Sequence, residues 1–203
     1  FFCRLNGAVF NTAPVFNPQG QVVNRFNKVY PFRPYERGVE GGDQFVVFDV
    51  PGVGRLGVMI CYDMWYPEMA RQLAWMGAEA LLIPTFTNTM DRGLELAIAR
   101  TNAAVSQAWV VNVNPASPMA FGQSIVVGPD GTVIHQSGSG REIITVDLDF
   151  EQVRRVRRRG LHGLGQTLKS FRDANISYPV YQEGAGPGAF AELGPLEVPE
   201  RES

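Results

Sequence analysis

One stretch constrains this chain more than any other: Gly57-Val58-Met59-Ile60-Cys61-Tyr62-Asp63-Met64-Trp65-Tyr66-Pro67-Glu68. An apolar run from Leu56 to Ile60 reads as a buried strand and stops at a cysteine. Pro67 suits the first turn of a helix; Met69, Leu73 and Met76 follow at helical spacing, and Gly77 is a C-terminal stop. A buried strand feeding a helix through a short turn is the joint of layered α/β proteins. A thiol at that joint stands on a rigid frame, near backbone N–H groups that lower its pKa and bind developing negative charge.

The remainder fits the same architecture. Residues 7–30 read as a hairpin around Asn17-Pro18-Gln19-Gly20, and 124–134 as a second around Gly128-Pro129-Asp130-Gly131, each with Pro and Gly where a type I turn wants them. Residues 31–44, with Pro31, Pro34, Gly38, Gly41 and Gly42, read as a loop. Further strands are expected over 45–50, 80–83, 109–113 and 143–148, and helices over 94–107 and 150–159. Strands and helices alternate, and the strands are apolar on both faces, which indicates an α/β protein with a buried sheet. One domain is expected over 1–182, with an extended or disordered C-terminal arm over 183–203, where Gly, Pro and Glu dominate.

Bulk properties narrow the function. A net charge of −2 gives no reason to expect a nucleic-acid partner, and the arginines at 154, 155 and 157–159 are expected on a solvated helix face. No apolar stretch approaches the roughly 20 residues needed to span a bilayer. With only Cys3 and Cys61, a disulfide framework is not expected, and a reducing, cytoplasmic setting fits better. No close Cys/His cluster suggests a metal. Neither metal nor cofactor is expected.

The chain resembles the nitrilase superfamily of carbon–nitrogen hydrolases, and within it the aliphatic amidase and formamidase branch. The resemblance rests on Asn11-Thr12-Ala13, Asn17 to Gly20, Arg25-Phe26-Asn27-Lys28, Pro31, Pro34 and Glu36, Gly41-Gly42-Asp43, Gly57 to Glu68 and Met76-Gly77-Ala78-Glu79. It implies an α-β-β-α sandwich, here incomplete at the N-terminus, and a homo-oligomer assembled through helices and the C-terminal arm. It further implies a Glu-Lys-Cys triad with a second glutamate nearby. Carried onto this chain, Cys61 is the nucleophile, Lys28 the cation that stabilises the oxyanion, and Glu36 the second glutamate, with Glu40 its competitor. Tyr62, Trp65 and Phe86 are expected at the substrate. The family's general-base glutamate lies upstream of the lysine, whereas no Asp or Glu precedes Glu36 here. A separate N-terminal segment is expected to supply it.

These residue types suit hydrolysis of a small amide to acid and ammonia. A thiolate forms the acyl intermediate, a lysine faces the carbonyl oxygen together with a backbone N–H such as that of Tyr62, and a carboxylate moves protons. A nitrilase, an N-carbamoyl-amide hydrolase and a non-catalytic paralogue acting as a binding or assembly subunit stay open, as does a weaker Cys–His pairing with His135 or His162.

Overall fold

The computed structural model describes residues 1–33 and 35–197; Pro34 and the end of the expected C-terminal arm, 198–203, lie outside the described residues. Two sheets carry the architecture. The first holds β1 (Phe2–Leu5), β2 (Ala8–Phe16), β3 (Val22–Asn27) and the short β4 (Val39–Glu40). β2 pairs antiparallel with β1 and β3, and β4 joins β2 in parallel. The hairpin turn closes as expected, with the Gly20 N–H donating to Asn17 O at 2.9 Å. Inside the expected 31–44 loop, Val39 and Glu40 add a parallel pairing that proline and glycine content alone does not reveal.

The second sheet runs β10-β9-β8-β7-β6-β5: β5 (Val47–Val50), β6 (Gly54–Val58), β7 (Ala80–Pro84), β8 (Trp109–Val113), β9 (Ile125–Val127) and β10 (Val133–Gln136). Its centre, β6-β7-β8, is parallel, and the crossovers are α1 (Pro67–Trp75) and α2 (Arg92–Ser106). Side chains alternate across this sheet. Leu81, Ile83, Val110 and Val127 join Leu73 of α1 and Ala99 and Ala103 of α2 in the main core. Ala80, Trp109 and Val126 face the other way, onto Val153 of α3 (Phe150–Arg159). A short α4 (Thr167–Asp173), not expected from the sequence, docks by a bond from Thr167 Oγ1 to Val105 O at 2.9 Å.

Two expectations are corrected. Residues 143–148 form no strand; Val146 and Leu148 still pack on Trp109 and Val126, while Ile143 is fully exposed. Alternating hydrophobicity reports which side chains are buried, but a strand also needs a free edge to pair with. The arginine run is not a uniformly solvated face either. Arg157 is half-buried and donates to Ala78 O at 2.6 Å and Gln107 O at 3.1 Å, tying α3 to the sheet. Arg154 reaches Glu79 and Glu151, and Arg155 reaches Asp149.

Candidate active site

The ends of three parallel strands and one edge strand converge here. Cys61 follows β6, the segment Thr85-Phe86-Thr87 follows β7, Asn114 follows β8, and Lys28 follows β3 of the other sheet. The carboxyl ends of parallel strands are where open α/β sheets leave room for ligands. Cys61, Lys28, Glu36 and Phe86 line a single cavity of about 610 Å³, together with Asn11, Thr12, Phe32 and Thr85. A larger, mostly apolar groove of about 890 Å³ between β8, β9 and residues 140–146 holds none of these side chains.

Lys28 is a 2 % exposed lysine, buried because the β3 end runs under the Gly41-Gly42 segment. The Gly42 N–H donates to Lys28 O at 2.8 Å, and a Cβ on Gly42 would sit 2.3 Å from Asn27 O. Only glycine permits that approach. Gly42→Ala is therefore expected to cost about 1–3 kcal/mol through overpacking, read from denaturant unfolding. Inside the cavity Lys28 Nζ donates to Glu36 Oε2 at 2.6 Å. Glu36 Oε2 also accepts from the Phe32 N–H, and Oε1 accepts from Asn11 Nδ2 at 2.9 Å. Burial alone would push the Glu36 carboxyl up, but the bonds from Lys28, Phe32 and Asn11 and the Lys28 charge hold it below its ordinary range. It is a carboxylate at neutral pH, and Lys28 is ion-paired with it.

Cys61 has φ +49, a left-handed conformation that is strained for a residue with a Cβ. A five-residue 3₁₀ turn, Cys61–Trp65, follows before α1. Burial pushes the thiol up; the Phe86 backbone N–H, the Lys28 charge and the Thr87 side chain pull it back, and buried Glu95 adds to the rise. The net shift is upward, so the resting group is a thiol that needs a proton acceptor before it attacks. Thr87 is held by Asn114, whose Oδ1 accepts from the Thr87 N–H at 2.8 Å and whose Nδ2 donates to Thr87 O at 3.1 Å. Glu95 is paired with Arg92 at 2.9 Å, both side chains buried.

Cys61, Lys28, Glu36 and Phe86 thus meet in one place. The side chains of Tyr62 and Trp65 are not among those lining the cavity. The 3₁₀ turn rotates them into an aromatic group: Tyr62 lies 4.8 Å from Phe32, 6.1 Å from Trp65 and 5.4 Å from Tyr66, and Tyr66 stacks on Tyr30 at 3.5 Å. Phe32, Phe1 and Phe2, which do line the cavity, are aromatic walls the sequence did not suggest. Glu40 is exposed on β4 and is not a lining residue. His135 lies beside Glu142, and neither His135 nor His162 lines the cavity. Among the described residues, no group of three or more His, Cys, Asp or Glu side chains could hold a metal ion. Nor is any described helix long and apolar enough to cross a membrane.

Comparison with known proteins identifies the family. The profile of the carbon–nitrogen hydrolase family matches residues 3–158. Omega-amidase NIT3 of Saccharomyces cerevisiae is 33% identical over 160 residues, covering 71% of this chain and 55% of that protein. Human omega-amidase NIT2 is 30% identical over 166 residues, covering 74% of this chain and 60% of that protein. The chain therefore spans under two thirds of the length of these curated relatives. A crystal structure of an amidase from Nesterenkonia sp. AN1, bearing the acetamide moiety of fluoroacetamide on its active-site cysteine, superimposes with a TM-score of 0.64 at 27% identity, covering 76% of this chain and 60% of that one. The fold is that of the nitrilase superfamily, as the sequence led us to expect; the two curated relatives are named omega-amidases, whereas the sequence pointed to the aliphatic amidase and formamidase branch.

Proposed function

This chain belongs to the carbon–nitrogen hydrolase family, and from that premise we propose that it carries the nucleophilic half of a cysteine-dependent amidase. The substrate is a small linear amide whose terminal carboxamide is cleaved to acid and ammonia, as the relatives' names suggest. The observation that carries the reading is one cavity lined by a cysteine in a strained elbow and a buried, carboxylate-paired lysine. Cys61 Sγ attacks the carbonyl carbon. Lys28 Nζ and the Tyr62 backbone N–H stabilise the oxyanion, ammonia leaves, and water hydrolyses the thioester. Glu36 holds Lys28 Nζ in place.

A proton acceptor is still required, because the Cys61 thiol is pushed up. Glu36 is engaged by Lys28, Asn11 and Phe32, and Glu95 by Arg92. We therefore place the general base on a further polypeptide segment. A homo-oligomer is part of the same proposal.

The test is ammonia release by the full-length protein from short amides, nitriles and N-carbamoyl compounds. Turnover of terminal amides well above the other two classes is expected. Preference for nitriles or carbamoyl compounds would move the chain to those reactions, and no turnover of any class would leave a binding paralogue.

A further inference from the structure

We infer that Asp63 is a positioning residue that bolts the lysine-bearing strand end to the cysteine elbow, so that one carboxylate sets the distance between Lys28 and Cys61. Its side chain is 0% exposed. Oδ1 accepts from the Tyr30 N–H at 2.8 Å, two residues beyond Lys28. Oδ2 accepts from the Ile60 N–H at 2.9 Å, one residue before Cys61. The second bond is the reach-back half of a capping box on the 3₁₀ turn, which needs only a local acceptor. The first crosses to the other sheet and has no local purpose. Lys28 follows a strand of one sheet and Cys61 a strand of the other, and the Asp63 side chain touches backbone adjoining both.

The residue type fits the task. The Ile60 and Tyr30 N–H groups, with that of Val29 beside them, converge on one buried group, and a carboxylate supplies acceptors on both oxygens and no donor. An amide in its place would turn an NH₂ toward one of the N–H groups. Burial pushes the Asp63 carboxyl up to about 6, against the bonds from Ile60 and Tyr30 and the Lys28 charge, so the fold keeps an ionised carboxylate at neutral pH in a place that resists it. A buried charge held only for packing would be replaced at no loss by an apolar group.

This inference deepens the amidase reading and rests on it, but its test needs no substrate, so failure of turnover and failure of the clamp are separate results. The pH dependence of Cys61 alkylation by iodoacetamide is measured in the full-length protein and in Asp63→Asn, with Cys3 as internal reference. The titratable and charged groups acting on the two side chains are Lys28 and Glu95 around Cys61, and Lys28, Tyr30 and Tyr66 around Asp63, with Glu68 beyond Tyr30. Deleting the Asp63 charge, taken alone, lowers the midpoint of the Cys61 curve. Loosening the fold also lowers it, because burial is what raises this thiol. Retreat of Lys28 raises it, and so would loss of the Phe86 N–H or Thr87 contact, neither of which Asp63 touches. A rise of about one unit, with alkylation about tenfold slower at neutral pH, is expected, since a nearby opposite charge shifts a pKa by about one to three units. An unchanged or lowered midpoint overturns the proposal. Native-state hydrogen exchange of the unsubstituted protein asks the same question: the Tyr30 and Ile60 amides should open together, with protection factors matching within about threefold across a denaturant series. Independent opening of the two amides also overturns it.

Discussion

Cys61→Ala is expected to lower ammonia release from a good amide substrate by about four decades or more, the scale seen when a nucleophile is removed from a cooperating catalytic set. The substitution removes the bond-forming atom and leaves the fold intact, since the Lys28–Glu36 pair and the Asp63 bonds from the Tyr30 and Ile60 N–H groups do not involve the Cys61 side chain. Wild-type protein quenched during turnover should carry an acyl group on Cys61, seen as a mass increase on that peptide and absent from the variant. Retained activity in Cys61→Ala, with no adduct in the parent, would sink the thioester mechanism.

Lys28→Met is expected to reduce kcat/KM by about two to three decades, the usual cost of removing one oxyanion donor. Most of the loss should fall on kcat, because charge on the carbonyl oxygen develops only in the transition state. A second consequence separates this from a packing defect. The Lys28 charge lowers the Cys61 pKa, so the variant's thiol should alkylate more slowly at neutral pH. Glu36, losing its salt bridge inside a half-buried site, should move up from its depressed range. The sign follows: an acid held below its unfolded pKa adds stability that is present at neutral pH and lost as pH falls through the folded value. The parent should therefore lose more stability than Lys28→Met between pH 6 and the acid range, measured by urea unfolding at each pH. An equal loss would mean the pair contributes nothing at this site.

How far the chain could be read from sequence depends on what each residue's position rests on. The 57–68 joint was legible because its causes are local: an apolar run ends, a proline sits where a helix has no use for an N–H, and helical spacing follows. The span Phe150–Arg159 was legible for similar reasons, with Asp149 capping it by accepting from the Glu151 N–H. Lys28 was not legible from pattern, since lysines are rarely buried. Only the resemblance singled it out, and the Gly41-Gly42 pair that buries it explains why that doublet belongs to the motif. The bond from Asn11 to Glu36 depends on the register of β2, which no local signal sets. Tyr62 and Trp65 sit in the aromatic group rather than among the cavity-lining residues, because adjacency to a nucleophile says nothing about the direction of a side chain on a 3₁₀ turn. Asp63 left a clue that went unused: an acidic residue embedded in Ile60-Cys61-Tyr62-Asp63-Met64 has to find donors or face solvent.

The nucleophile and its cation ride on separate plates, one at the end of a strand in each sheet, packed over a shared core and bridged at the elbow by the Asp63 bond from Tyr30. Chemical competence in such a molecule is a vernier, sensitive to a slide between plates too small to disturb either one. Mild denaturant or heat should silence the sulfur while the circular dichroism trace is still flat.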